Sequence, residues 1–250
     1  MKLSIVTINY NNKEGLEKTI ESVANQKSDD NYEFEYIVID GLSSDGSCEL
    51  IKDNSIITKY KIEKDNGIAD AFNKGIELAN GEYLYFLNSG DVFFDDQSLQ
   101  YILSTLSENT DIFIGKVAIV DENGKKVSES ANKIFLQKQL YRNYLPHQGM
   151  IIKKAMFEKY GVYDIEYRLG MDYEWSLRFF RDDVVLKQFE KFIAKMLSGG
   201  VSMTNYVGTL KAFHEARKKH NASNRLYSYL ICWFFVIRRS VGIRFRAFIK

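Results

Sequence analysis

The feature that most constrains the fold is an alternation. Across residues 1–115, apolar runs of strand length trade places with segments whose apolar residues recur every three or four positions. "LSIVTINY" reads as a strand, residues 13–26 put Leu16, Ile20, Val23 and Ala24 at helical spacing, and "EYIVID" reads as the second strand. A short helix is expected after "LSSDGS", with Ser44 or Asp45 as its cap. Next come the strand-like "ITKYKIEKD" and a helix over residues 68–79, stopped by Asn80 and Gly81. "EYLYFL" closes the series. Parallel strands need crossover connections that pack on the sheet faces, so this order predicts an α/β fold with a mostly parallel sheet flanked by helices.

That architecture says where chemistry belongs. Ligands of open parallel sheets bind beyond the carboxyl ends of the strands. The stretches to inspect are therefore residues 7–11, 40–44, 65–67 and 88–91, three of which carry an acid. No G-x-G-x-x-G follows the first strand and no G-x-x-x-x-G-K-[ST] occurs, so neither a glycine turn nor a P-loop holds a phosphate here. An acid at a strand end does so indirectly, through Mg2+ or Mn2+ bridging two phosphate oxygens. Asp91 is so placed, with Gly90 allowing close backbone approach. Asp40 can accept from a base N–H or a ribose hydroxyl, or cap the turn that Asp, Gly and Ser commonly form.

The second half is less regular. A helix "SLQYILSTL", a strand "DIFIGKVAIVD" and a hairpin at Asn123 and Gly124 are expected. The only proline, Pro146, precedes "HQGMIIKK", which reads as a strand opened by His147. A helix over residues 171–180 and a strand "KQFEKFIAKML" follow, and from Asn205 onward the pattern is helical, with "EARKKHNASN" as a linker.

A chain of 250 residues, 45% of them hydrophobic, buries roughly three quarters of its unfolded surface without disulfides. Only Cys48 and Cys232 are present, and "MKLSIVTINY" enters a strand pattern directly, which points to a reducing cytoplasm. The net charge of +1 creates no global field, so no nucleic-acid partner is expected. The longest apolar run, "LYSYLICWFFVI", would extend about 18 Å as a helix, short of the roughly 30 Å of bilayer hydrocarbon. After it, Arg238, Arg239, Arg244, Arg246 and Lys250 alternate with apolar residues. This is a basic amphipathic end suited to anionic lipid at the inner face of the cell membrane, and its apolar half equally suits a core or dimer helix.

Four ordered blocks, "SIVTINYNNKEGLEKTIESVANQ", "EYIVIDGLSSDGS", "DNGIADAFNKGIELANGEYLYFLNSGD" and "GMDYEWSLR", resemble family two glycosyltransferases of the GT-A fold. They are similar to the bacterial enzymes that build capsule, O-antigen or exopolysaccharide, and cover roughly residues 3–205. The resemblance implies inverting transfer from a nucleoside diphosphate sugar, most often a UDP-sugar, to a saccharide or lipid-linked saccharide. It implies a GT-A domain over residues 1–204, with the nucleotide half at 1–115 and the acceptor half at 116–204; the helical pattern after it makes residues 205–250 a helical, basic amphipathic extension. Thr7 would lie beside the base and Asp40 would bond the base or ribose. Asp65, Asp70 and Asn73 would contact the donor, and Asn88 the ribose or a metal-bound water. "LNSGD" matches the family's metal motif, with Asn88 and Gly90 at positions often held by acids, so Asp91 would hold Mn2+ or Mg2+ with His147 as a second ligand.

Asp172 in "GMDYEW" matches the catalytic acid and would serve as base, although local sequence alone reads it as a helix N-cap. Arg168 and His147 are further candidates for phosphate or acceptor contact. Two rivals stand beside this reading. A sugar nucleotidyltransferase would need an arginine-bearing glycine loop that "NYNNKEG" lacks, and a non-catalytic nucleotide- or glycan-binding module would be consistent with Asn88 and Gly90.

Overall fold

The computed structural model describes residues 3–27, 33–130, 145–200 and 204–222, with Leu230, Trp233 and Phe234. The alternation of the first half is realised as β1 (Leu3–Asn9), α1 (Lys13–Ala24), β2 (Phe34–Asp40), α2 (Ser47–Lys52), β3 (Lys59–Ile62), α3 (Ile68–Leu78) and β4 (Tyr83–Phe86). β1 pairs in parallel with β2 and β4, and β2 with β3. Nearly every residue of β1, β2 and β4 is buried, as strands covered on both sides require.

Their side chains divide by parity between two cores. Leu3, Ile5, Tyr36, Val38, Tyr83 and Tyr85 pack with Leu16 and Ile20 of α1, Ile51 of α2 and, further along the chain, Ile102. Val6, Ile37, Ile39, Leu84 and Phe86 pack on the other side with Phe72 and Ile76 of α3. The result is a helix–sheet–helix sandwich whose carboxyl strand ends lie on one edge.

The second half extends the same sheet. It adds β5 (Val92–Phe93), α4 (Ser98–Thr105), β6 (Ile112–Val120), β7 (Lys126–Ser130), β8 (Met150–Lys153), α5 (Lys154–Tyr160), α6 (Met171–Ser176), β9 (Leu186–Leu197) and α7 (Tyr206–Lys219). The strand order is β3-β2-β1-β4-β8-β6-β9-β5, with β7 on β6. β8 enters antiparallel between β4 and β6, so the sheet is mixed from that point on. The expected β6–β7 hairpin forms around Gly124 (φ 74), where Asp121 Oδ1 accepts from the N–H groups of Asn123 and Lys125 at 3.0 and 2.9 Å.

Several local expectations are corrected. α2 is capped by Gly46 in the left-handed region rather than by Ser44 or Asp45, although Asp45 Oδ1 accepts from Ser47 N at 3.1 Å. Residues 147–149 form a 3-10 turn, so His147 precedes β8 and does not open it. α5 went unrecognised because its seven residues follow β8 with no loop to mark a start. The helix expected over 171–180 closes at Ser176, and its N-cap is Gly170 (φ 67), which puts Asp172 in the first turn instead of at the cap.

The first half of the run read as a linker is helix. Residues 215–219 are the end of α7, and Arg217 within them is buried. Most of the basic amphipathic tail lies outside the described residues. Among the described residues no helix is long and apolar enough to cross a membrane.

Candidate functional site at the carboxyl edge of the sheet

β1 and β2 end side by side, Asn9 opposite Asp40, and the chain after β4 runs on beside β1. There Leu87 N donates to Val6 O at 3.0 Å and Ser89 N to Ile8 O at 3.2 Å. Three loops meet at this edge, and "NYNN" ties them together. Asn11 N donates to Ser43 Oγ at 2.8 Å, and Asn11 Oδ1 accepts from Ser44 N at 2.9 Å. Asn12 caps α1 through Gly15 N at 3.3 Å and reaches Ser89 Oγ at 3.1 Å. Gly90 N donates to Thr19 Oγ1 at 2.9 Å, and Thr19 in turn donates to Asp91 O at 2.8 Å, fastening the "NSGD" turn to α1.

This edge carries strain and unmet polarity. Asn11 (φ 48) and Leu42 (φ 66) lie in the left-handed region, which costs an L-residue such as leucine about 1–2 kcal/mol. Asn9 Oδ1 and Asn88 Oδ1 are buried acceptors without a hydrogen-bond partner among the described residues, a condition that costs about 1–3 kcal/mol each. Strain and orphaned acceptors of this kind collect where a fold is shaped for a ligand.

The expected donor residues divide into floor and rim. Thr7 is wholly buried, its hydroxyl donating to Leu87 O at 2.6 Å and accepting from Tyr36 OH at 3.1 Å. Asp40 is wholly buried too, accepting from Ser43 N (2.7 Å), Ser43 Oγ (2.8 Å) and Asn9 Nδ2 (2.7 Å). Both therefore shape the edge from beneath. Asp65 is half-buried, accepts from Gly67 N at 3.0 Å, and crowds Gly41, where a Cβ would fall 2.5 Å from Asp65 Oδ2. Asp70 accepts from Asn66 N at 2.8 Å and pairs with Lys74 at 3.4 Å. Asn73 forms a reciprocal pair with the backbone of Tyr163, 2.8 and 2.9 Å, which joins the two halves of the chain.

Asp91 and His147 belong to opposite sides of the sheet. Asp91 is buried beside β9, where burial pushes its carboxyl up to about 7 while a hydrogen bond from the Leu197 backbone works against that rise. Its charge acts on Tyr85, a member of the first core. His147 stacks on Phe86 (5.2 Å between centroids) and packs on Phe72 (4.7 Å), both of the second core, and its Nε2 lies 3.2 Å from Tyr163 OH. Burial depresses the His147 pKa and the Asp172 charge partly restores it; burial raises Tyr163, and Asp172 adds to the rise. The imidazole thus keeps company with Asp172. Arg168 is exposed, with no ion-pair partner among the described residues.

Residues 4–165 match Glycosyl transferase family 2. The chain belongs to that family. Relatives of this family 2 chain include a PGL/p-HBAD biosynthesis glycosyltransferase of Mycobacterium bovis, 24% identical over 196 residues that span 74% of this chain and 73% of that protein. A glycosyltransferase of Methanocaldococcus jannaschii is 24% identical over 261 residues, covering 94% of this chain and 88% of its own length. Among solved structures, S. aureus TarS 1-349 in complex with UDP-GlcNAc superposes with a TM-score of 0.68 at 17% identity, covering 94% of this chain and 72% of that one. The mannosyltransferase PcManGT of Pyrobaculum calidifontis, in complex with GDP-Man and Mn2+, superposes with a TM-score of 0.66 at 12% identity, covering 92% and 69%. The architecture is the GT-A type, a curled and largely parallel sheet between helical layers.

For a family 2 chain the fit of a divalent cation can be tested on the donor set. No three His, Cys, Asp or Glu side chains among the described residues converge on one point. Mg2+-type ions do not require that, since they take one or two protein oxygens and complete their shell with water and phosphate. Asn88 Oδ1, a buried oxygen without a partner, and Asp91, a buried carboxylate with no cation beside it in any described ion pair, are hard donors with capacity to spare. The residues fit a cation shared with a substrate.

Three further residues stand out in the structure that the sequence pattern does not single out. Tyr10 is 67% exposed beside Gly41, where a Cβ would lie 3.0 Å from its ring, and an aromatic directly after the first strand was the available signal. Tyr163 joins His147, Phe157 and Trp175 in one aromatic cluster, and nothing local to it distinguishes it from other core tyrosines. Glu174, in the first turn of α6, is wholly buried.

Proposed function

We propose that this family 2 chain transfers a sugar, with inversion, from a nucleoside diphosphate sugar to a saccharide or lipid-linked saccharide hydroxyl, in surface polysaccharide synthesis. The observation that carries the proposal is the convergence of strained loops and two unpaired buried acceptors on the carboxyl edge, inside the span that matches the family. UDP is the favoured nucleotide, supported by TarS neighbours in complex with UDP and UDP-GlcNAc.

In this reading Tyr10 covers the base with its exposed ring, while Asp65 and Asn88 bond the ribose or base from the rim. Thr7 and Asp40 hold the floor, and Asn73 holds the two halves in register. Asp172 accepts the proton of the acceptor hydroxyl as its oxygen attacks the anomeric carbon opposite the departing diphosphate. His147 and Tyr163 shape the wall beside it. Asp91 and Asn88 would hold Mn2+ or Mg2+, which when bound offsets negative charge on the leaving diphosphate. Arg168, exposed four residues before Asp172, is free to reach phosphate or acceptor.

Melting shifts with UDP, GDP and dTDP, each with and without Mn2+, test the proposal. At 100 times its dissociation constant a ligand stabilises by about 2.7 kcal/mol. UDP with Mn2+ is expected to give the largest shift. No shift with any nucleotide would remove the reading and favour a glycan-binding module.

A further inference from the structure

α6 is six residues long, too short to be stable on its own, so its order must come from its neighbours. The neighbour that grips it is α7. Glu174 of α6 is wholly buried, and both of its oxygens are occupied. Arg178 Nη2 lies 2.6 Å from Oε2, while Lys219 Nζ and His220 Nε2 lie 3.1 and 2.6 Å from Oε1. Lys219 also donates to Asp164 Oδ2 at 2.6 Å, and Arg178 to the carbonyls of Tyr160 and Val162 at 2.9 and 2.8 Å. One carboxylate therefore joins α6, the segment at residues 160–164 and the end of α7.

Two further contacts act on the same turn. Arg217, buried within α7, donates to Tyr173 OH at 3.1 Å. Phe213 packs on the Tyr173 ring at 4.2 Å between centroids and closes over Gly170, where a Cβ would fall 2.7 Å from the Phe213 ring. Residues 170, 173 and 174 are thus each held by α7, and Asp172 lies between them. The cationic network also keeps Glu174 ionised. Burial alone would raise its carboxyl, but hydrogen bonds from His220 and Arg178 bring it down to about 2.

A base must be held within about 0.5 Å of its working position, and a misplacement of about 1 Å can cost about 100-fold in rate. We propose that Glu174 is a positioning residue for Asp172, and that Lys219 at the end of α7 and His220 at its C-cap, by gripping its carboxylate, make α7 a working part of the catalytic apparatus. The proposal rests on the reading of Asp172 as the base. A sequence segment that looks like a charged linker thereby becomes the support of the reacting group.

The test compares the full-length wild type with Glu174→Gln, the α7 double variant Lys219→Met/His220→Gln, and Asp172→Asn. Transfer is measured with UDP, GDP and dTDP sugars and lipid-linked saccharide acceptors, donor binding by calorimetry, and amide hydrogen exchange over residues 170–176. Per folded molecule, kcat should fall about 10- to 100-fold in both latch variants, with donor KM and dissociation constant within about two-fold of wild type. Exchange over 170–176 should speed up in both.

An unchanged kcat, or a loss that only follows the folded fraction, would overturn the proposal. If Asp172→Asn is inactive while both latch variants keep their kcat, only the positioning role falls; if Asp172→Asn stays active, the base assignment falls and takes this proposal with it. Hydrogen exchange needs no substrate, so unchanged protection in both latch variants overturns the proposal alone.

Discussion

Replacing Tyr10 with alanine should separate binding from folding. The ring is 67% exposed, so little packing is lost, and the change in stability should stay within about 0.5 kcal/mol. A tyrosine side chain offers about 200 Å2 of surface, of which the 67% exposed leaves about 130 Å2 free. If a base covers half of that, about 65 Å2 leaves water, worth about 1.6 kcal/mol at about 25 cal/mol per Å2, or about 15-fold in Kd. That lies within the range of about 1–3 kcal/mol for base–aromatic stacking. Calorimetric titration of UDP into wild type, Tyr10→Ala and Tyr10→Phe reads this directly. Tyr10→Phe keeps the stacking face and should bind within about two-fold of wild type. UDP bound as tightly by Tyr10→Ala as by wild type would refute the reasoning, and so would a large fall in Tm, which would make Tyr10 a packing residue.

Three other outcomes follow from particular environments. Glu174 has a folded pKa of about 2 against about 4.3 unfolded, so its stabilisation is fully present above the unfolded value and is lost as pH falls toward the folded one. Between about pH 4.3 and 2 the wild-type Tm should therefore drop more steeply than that of Glu174→Gln, which at neutral pH should be less stable by about 3–5 kcal/mol because its cations lose their partner. Gly81→Ala would put a Cβ 2.6 Å from Ser4 N, a backbone atom of the buried strand β1, and should lower the urea midpoint by an amount equivalent to about 1–3 kcal/mol with the m-value unchanged. Asp91→Asn removes a buried charge, and without added cation it should melt higher, by the equivalent of about 1–3 kcal/mol, while losing any Mn2+-dependent shift; an equal Mn2+ response in wild type and variant would clear Asp91 of the metal role.

How much of the molecule was legible depended on how local each signal was. Strand–helix alternation is a property of ten or so consecutive residues, so β1 to β4 and α1 to α4 could be read in order, and the carboxyl edge with them. Asp40 and Asn88 could be placed at this edge because strand ends are recognisable, although whether a side chain there forms floor or rim depends on partners such as Asn9 and Ser43 in other loops. The face a residue takes after its strand ends was not legible. Asp91 lies by the Leu197 backbone, whereas His147 stacks on Phe86 and feels the Asp172 charge, and no local signal in the sequence distinguishes these surroundings. The "EARKKH" segment was the plainest loss. A run of charges normally marks a solvated stretch, and its partners, Tyr173 and Glu174, lie more than 40 residues earlier in the chain.

The most direct test of the central claim is sugar transfer by wild type and Asp172→Asn, with product stereochemistry followed by NMR, across UDP, GDP and dTDP sugars and saccharide or lipid-linked saccharide acceptors. The account predicts transfer with inversion at the anomeric carbon by wild type, and a loss of about 100-fold or more in kcat for Asp172→Asn with donor binding retained. Retained configuration in the product, or undiminished turnover by Asp172→Asn, would contradict it.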